Sequence, residues 1–185
     1  SEMCIRDRNI TVLLGNHEVM ARDFLRRLTA EITDENTASF DNDFLVELAI
    51  YKHNGGIPTI NRLIALPPDK QQRVLDFIDS LYAYEAIDIG VSTFVLVHAG
   101  LGNFRKDKKI SEYSLYELLE LRPDYERQYF DDDSVYIVSG HTPTKLISGK
   151  WEIYHSHNNI VIDCGAAFGG RLACLRLEDM AEFYV

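Results

Sequence analysis

Three histidines in this chain stand beside glycine at the end of an apolar run: Gly15-Asn16-His17, His98-Ala99-Gly100 and Gly140-His141. Glycine lets the backbone turn sharply and come close to a bound ion or phosphate. The amide oxygen of Asn16 with ring nitrogens of His98 and His141 would make a donor set of one oxygen and two nitrogens. That set suits manganese, iron or zinc better than calcium. His17, next to Asn16, is an imidazole able to move a proton. The plainer alternative is that Asn16 caps a helix and His17 lies on its rim. A lone histidine at a strand end is also more often structural than a ligand. Three in one setting carry more weight, because parallel or mixed sheets bring strand ends together along one edge.

The elements that must position these residues are legible in the hydrophobic pattern. Residues 10–14, 93–97 and 135–138 are short apolar, β-branched runs that read as strands ending at the three histidines. Helical spacing runs over 19–31, with Glu18 suited to the positive end of the helix dipole. Further helices are expected at 43–51, which stops at His53-Asn54-Gly55-Gly56, at 57–65, and after Pro67-Pro68. The stretch 18–81 therefore reads as a helical block. After it the pattern changes, with strands at 83–89, 93–97, 135–138, 151–154, 160–162, 172–177 and 182–185 and a helix at 114–121. Asp131-Asp132-Asp133 reads as a solvated turn and His155-Ser156-His157 as exposed loop histidines.

Composition bounds the class. The chain has 185 residues, 46% hydrophobic and 26% charged, which fits one globular domain with a sizeable core. A net charge of −10 argues against a nucleic-acid surface, since phosphate backbones select basic patches. The sequence shows neither an apolar run of membrane-span length nor a signal-peptide pattern, so a cytoplasmic protein without a membrane partner is expected. Three cysteines, two of them in apolar strand-like contexts, do not make a disulfide framework. Residues 1–8 fit no element and are read as a non-native extension.

The order of motifs is specific. G-N-H-E at residues 15–18, N-G-G-x-x-T at 54–59, V-H-A-G-L at 97–101, S-G-H-T-P-T at 139–144 and I-D-C-G-A-A-F-G-G-R-L at 162–172 together resemble the calcineurin-like metallophosphoesterases. The similarity is to their bacterial serine/threonine protein phosphatase branch and covers essentially all of 9–185. It implies an α/β fold, a sandwich of two mixed β-sheets flanked by helices. It also implies a phosphoester hydrolase with two divalent metals (manganese, iron or zinc), in which Asn16, His98 and His141 hold the second metal. His17 would be the acid that protonates the leaving oxygen, and Arg122 would grip the substrate phosphate. The plainer reading of Arg122 is a surface residue ending a helix before Pro123, and Glu120 stands where the family has tryptophan. Glu18, Asn54 and Asp163 are expected beside the site, in its groove or supporting a ligand; Asp163 could equally start a turn.

The departures from the family pattern shape the expectation. The chain contains no Gly-Asp dipeptide, which carries the family's first-metal and bridging aspartates, and only fourteen residues precede Gly15. The reading is therefore that 9–185 is the C-terminal part of a single metallophosphoesterase domain without its first strands. Such a chain would bind at most one divalent ion, weakly, and be inactive by itself. Leu14 replaces the arginine that often precedes G-N-H-E in protein phosphatases, which tilts the substrate from a phosphorylated protein towards a nucleotide. A symmetrical dinucleoside tetraphosphate hydrolase is the alternative enzyme. From another class, a non-catalytic module could bind a partner through the helical block.

Overall fold

The computed structural model describes residues 10–31, 33 and 40–185. The extension at 1–8 lies outside them. The chain divides into two compact units, one formed by Tyr82–Val185 with the segment ending at Gly15, the other by Asn16–Leu81.

The first unit is built on a five-stranded sheet. Its strands are β1 (Tyr84–Ile89), β2 (Ser92–Val97), β3 (Val135–Ser139), β4 (Tyr154–Ser156) and β5 (Asn159–Val161), in the order β1-β2-β3-β5-β4. β2, β3 and β5 run parallel in the middle, while β1 and β4 pair antiparallel at the edges. Central parallel strands are covered on both faces and so read as nearly continuous apolar runs. Accordingly Phe94, Val95, Val97, Ile137, Val138, Ile160 and Val161 are all buried. β6 (Ala173–Arg176) and β7 (Ala181–Tyr184) form a separate antiparallel ribbon. Ala173, Leu175 and Tyr184 pack it on the sheet core of Phe94, Val138, Ile153, Ile160 and Cys164.

The architecture is α/β, as expected, with a correction to the sheets. One sheet is mixed and the other is a two-stranded antiparallel ribbon. Its strands are joined by a short turn, and parallel pairing would need a long crossover. The strand expected at 10–14 is reduced to one parallel bridge, Leu13 to Tyr82, with the Leu14 N–H donating to the Tyr82 carbonyl at 2.7 Å. A strand exists only through its ladder partners, and the described residues supply one. The strand expected at 151–154 begins later, at Tyr154, so His155 lies in β4 rather than a loop and meets Glu182 at 2.7 Å.

The second unit contains α1 (Asn16–Thr29), α2 (Asn42–His53), α3 (Ile57–Ile64) and α4 (Pro68–Asp79). Local chemistry sets their ends. Asp41 caps α2 by accepting from the Phe44 N–H at 3.0 Å, and Pro68 opens α4 where its missing N–H has no partner to lose. The helices share a core of Ala21, Phe24, Leu25, Phe44, Tyr51, Ile60, Leu63 and Leu75. No helix among the described residues is long and apolar enough to cross a membrane.

Candidate functional site

β2 and β3 are parallel neighbours in register Leu96 to Val138, so their carboxyl ends emerge side by side. That is the edge where open α/β sheets place ligands. His98 follows β2 directly, and His141 follows β3 after Gly140. The Gly140 N–H donates to the His98 carbonyl at 2.8 Å, which fastens one turn to the other. The loop after His98 is tied down as well. Ala99 donates to the Leu118 carbonyl and Gly102 to the Glu117 carbonyl in the short helix α5 (Leu115–Leu119). A Cβ on Gly100, whose φ is +122°, would stand 2.6 Å from the Pro123 ring, so only glycine lets the loop lie this close to the segment carrying Arg122.

The two rings meet. His98 Nε2 lies 3.1 Å from His141 Nδ1, with ring centroids 5.0 Å apart and planes inclined at 63°. Nitrogens ligating one ion at ~2.0–2.1 Å stand about 2.9–3.4 Å apart for angles between 90° and tetrahedral. The pair thus fits the shared coordination of a single ion, as it also fits a neutral donor–acceptor pair. His141 has φ of +62°, a left-handed conformation that L side chains rarely adopt. Such strain persists only where surrounding structure enforces it, and it concentrates at functional sites. Among the described residues, no cluster of three or more His, Cys, Asp and Glu side chains is placed to hold an ion.

Next to His141 in the chain, the Thr142 Oγ1 atom is buried, as is Tyr125 Oη, and neither has a hydrogen-bond partner of good geometry among the described residues. Burial pushes the Tyr125 phenol pKa up, with the Thr142 hydroxyl and the Arg122 charge pulling it partly back. Arg122 is exposed, and its charge reaches this corner of the sheet edge. Asp163, after β5, accepts from the Gly165 N–H at 2.9 Å through its carboxylate and from the Thr144 N–H at 2.8 Å through its carbonyl. Tyr125 had no sequence signal, because nothing in its neighbours marks the fold's return to the site.

The remaining expected residues belong to the helical unit. Asn16 opens α1 and His17 is exposed in its first turn, so the helix expected from residue 19 begins three residues earlier. Glu18 in the first turn suits the positive end of the helix dipole, and the helix begins at Asn16. His17 and Glu18 line a cavity of about 320 Å³ together with Tyr51, Asn54, Gly55, Gly56, Thr59, Phe77 and others. Asn54 caps α2, its N–H and Nδ2 both donating to the Ile50 carbonyl. Burial raises the Tyr51 phenol pKa; a hydrogen bond to Thr59 lowers it and the Glu18 charge adds to the rise.

These observations define an α/β protein with paired imidazoles at the carboxyl edge of a parallel sheet core. No protein-family model matches the chain. It is similar to proteins named bis(5'-nucleosyl)-tetraphosphatase PrpE, asymmetrical, from Bacillus thuringiensis (strain Al Hakam), Bacillus cereus (strain AH820) and Bacillus anthracis (strain CDC 684 / NRRL 3495). In each case identity is 30% over 138 residues, covering 66% of this chain and 52% of the relative. The chain thus spans about half the length of these curated relatives. Their name specifies a nucleotide substrate, whereas the motif order pointed first to a protein phosphatase.

Proposed function

We propose that the protein is a metal-dependent phosphoester hydrolase of the calcineurin-like kind, acting on a dinucleoside polyphosphate. The approach of His98 and His141 to 3.1 Å on adjacent parallel strand ends carries this reading, supported by the names of the relatives. In this reading His98 and His141 hold a divalent ion, with the Asn16 amide, assigned from sequence alone, as a further ligand. A bound divalent ion would supply Lewis-acid neutralisation of phosphoryl charge. His17 would give a proton to the departing oxygen, and Arg122 would hold a phosphate oxygen by charge-assisted hydrogen bonds. Asymmetrical cleavage, named for the relatives, is favoured over the symmetrical alternative. Manganese is the ion chosen for the test, because the free ion can be followed by its paramagnetic signal.

The test is a titration of the chain with manganese, following free ion by its electron paramagnetic resonance signal. Saturable binding that His98→Ala and His141→Ala each weaken about tenfold or more is expected. Equal binding by parent and both variants would remove the basis of the proposal. Competition on the manganese-loaded chain then addresses substrate class. Diadenosine tetraphosphate should bind more tightly than a phosphoserine peptide, and the reverse order would restore the protein phosphatase reading.

A further inference from the structure

The N-G-G-x-x-T motif at residues 54–59 has no task in the hydrolytic reading above, yet it builds one wall of the cavity beside His17. Gly55, with φ of +84°, turns the chain after α2. A Cβ on Gly56 would lie 2.5 Å from two Tyr51 ring carbons, so glycine there allows the ring to lie flat on the backbone. The ring is buried and also meets Phe24, with centroids 5.5 Å apart. The wall is thereby fixed in place. At about 320 Å³ the cavity falls at the small end of the range for ligand sites, roughly 300–1,000 Å³. Val74, Phe77 and Ile78 give it an apolar side, and Thr59, Glu18 and His17 give it polar groups.

We infer that this cavity seats one nucleoside end of the dinucleoside polyphosphate. The inference rests on the proposed function for the identity of its occupant. Charge argues for the nucleoside rather than a phosphate. Neither lysine nor arginine is among the described residues lining the cavity, while Glu18 brings a carboxylate. A carboxylate accepts hydrogen bonds from a base amino group or a ribose hydroxyl. The apolar side formed by Val74, Phe77 and Ile78 suits the apolar face that every nucleobase presents. His17, exposed in the first turn of α1, lines the same cavity.

Adenosine, which carries no phosphate, is the probe. In a ¹H–¹⁵N correlation titration of the 185-residue chain, adenosine should shift the amides of Tyr51, Gly55, Gly56 and Phe77 saturably. Val74→Trp, which fills the cavity, should weaken binding at least about tenfold. Thr59→Val, nearly isosteric at an exposed position, should weaken it about threefold, and it keeps the test open if the tryptophan variant fails to fold. Inorganic phosphate should not compete. Absence of saturable shifts, competition by phosphate, or unchanged binding in a folded Val74→Trp variant would each overturn the inference. Failure here with manganese binding intact touches only the cavity. Manganese binding indifferent to His98→Ala and His141→Ala touches only the hydrolytic reading.

Discussion

His141 combines a reactive side chain with a backbone conformation that opposes it. A non-glycine residue in the left-handed region costs about 1–2 kcal/mol, which glycine does not incur. His141→Gly should therefore raise the denaturation midpoint or leave it level while weakening manganese binding. His141→Val, β-branched at the same φ, should lower stability by about 1–2 kcal/mol or more, measured by urea unfolding. A large loss of stability in the glycine variant would mean that the imidazole holds the turn together. Tyr125 tests its surroundings in another way. Its hydroxyl is buried without a well-formed hydrogen bond, so Tyr125→Phe should be neutral or stabilising by up to ~1 kcal/mol. A destabilisation larger than that would reveal a partner for the hydroxyl, with Thr142 first in line.

The element that steadies the His98 loop is α5, whose N-terminus carries a capping box. Ser114 and Glu117 cap each other's backbone, and Lys108 Nζ reaches both Glu117 carboxylate oxygens at 2.9 and 2.8 Å. The Lys108 hydrogen bonds, then those of Ser114, hold the Glu117 carboxyl well below its ordinary range, at about 2. A depressed carboxylate stabilises the fold fully above its unfolded-state pKa, and that contribution is lost as pH falls. Thermal stability should therefore decline between about pH 4.5 and about pH 2, and Glu117→Gln should flatten the profile in that window. An unchanged profile would show that the decline has another source. Gly102, which donates to the Glu117 carbonyl, is the second tie. A Cβ there would stand 2.5 Å from Leu121 Cβ and 2.8 Å from that carbonyl. Gly102→Ala should cost about 1–3 kcal/mol in urea unfolding, with weaker ion binding as the loop shifts.

At the scale of the whole molecule, charge is the feature that acts at a distance. A net charge of −10 draws divalent cations towards the protein and disfavours approach of an anionic polyphosphate. Manganese affinity should fall as ionic strength rises from about 10 mM to about 150 mM, since the Debye length shortens from about 30 Å to about 8 Å. Affinity indifferent to salt would confine the attraction to the ligands themselves. The hydrophobic cores offer a parallel check. Phe94 and Leu25 are almost fully buried, one in each unit. Phe94→Ala should cost about 3–5 kcal/mol and Leu25→Ala about 2–5 kcal/mol in denaturant unfolding.

Much of this was legible in the sequence, for reasons that are local. Apolar periodicity marked the four helices of the 16–81 unit, with Pro68 and the glycines after His53 marking boundaries. The runs before His98 and His141 read as buried strands because central parallel strands are apolar on both faces. What depends on distant partners was not legible. Residues 10–14 have the composition of a strand, but only the ladder decides strand from coil, and one bridge is present. The ribbon's antiparallel pairing, the edge position of β4 and the Glu182 contact of His155 come from packing. The same holds for the candidate site. The sequence named His98 and His141 from a shared local setting. Their 3.1 Å approach, the strained His141 backbone and the burial of the Tyr125 and Thr142 hydroxyls were decided by the fold, because a sheet edge that joins His98 to His141 is assembled from segments more than forty residues apart.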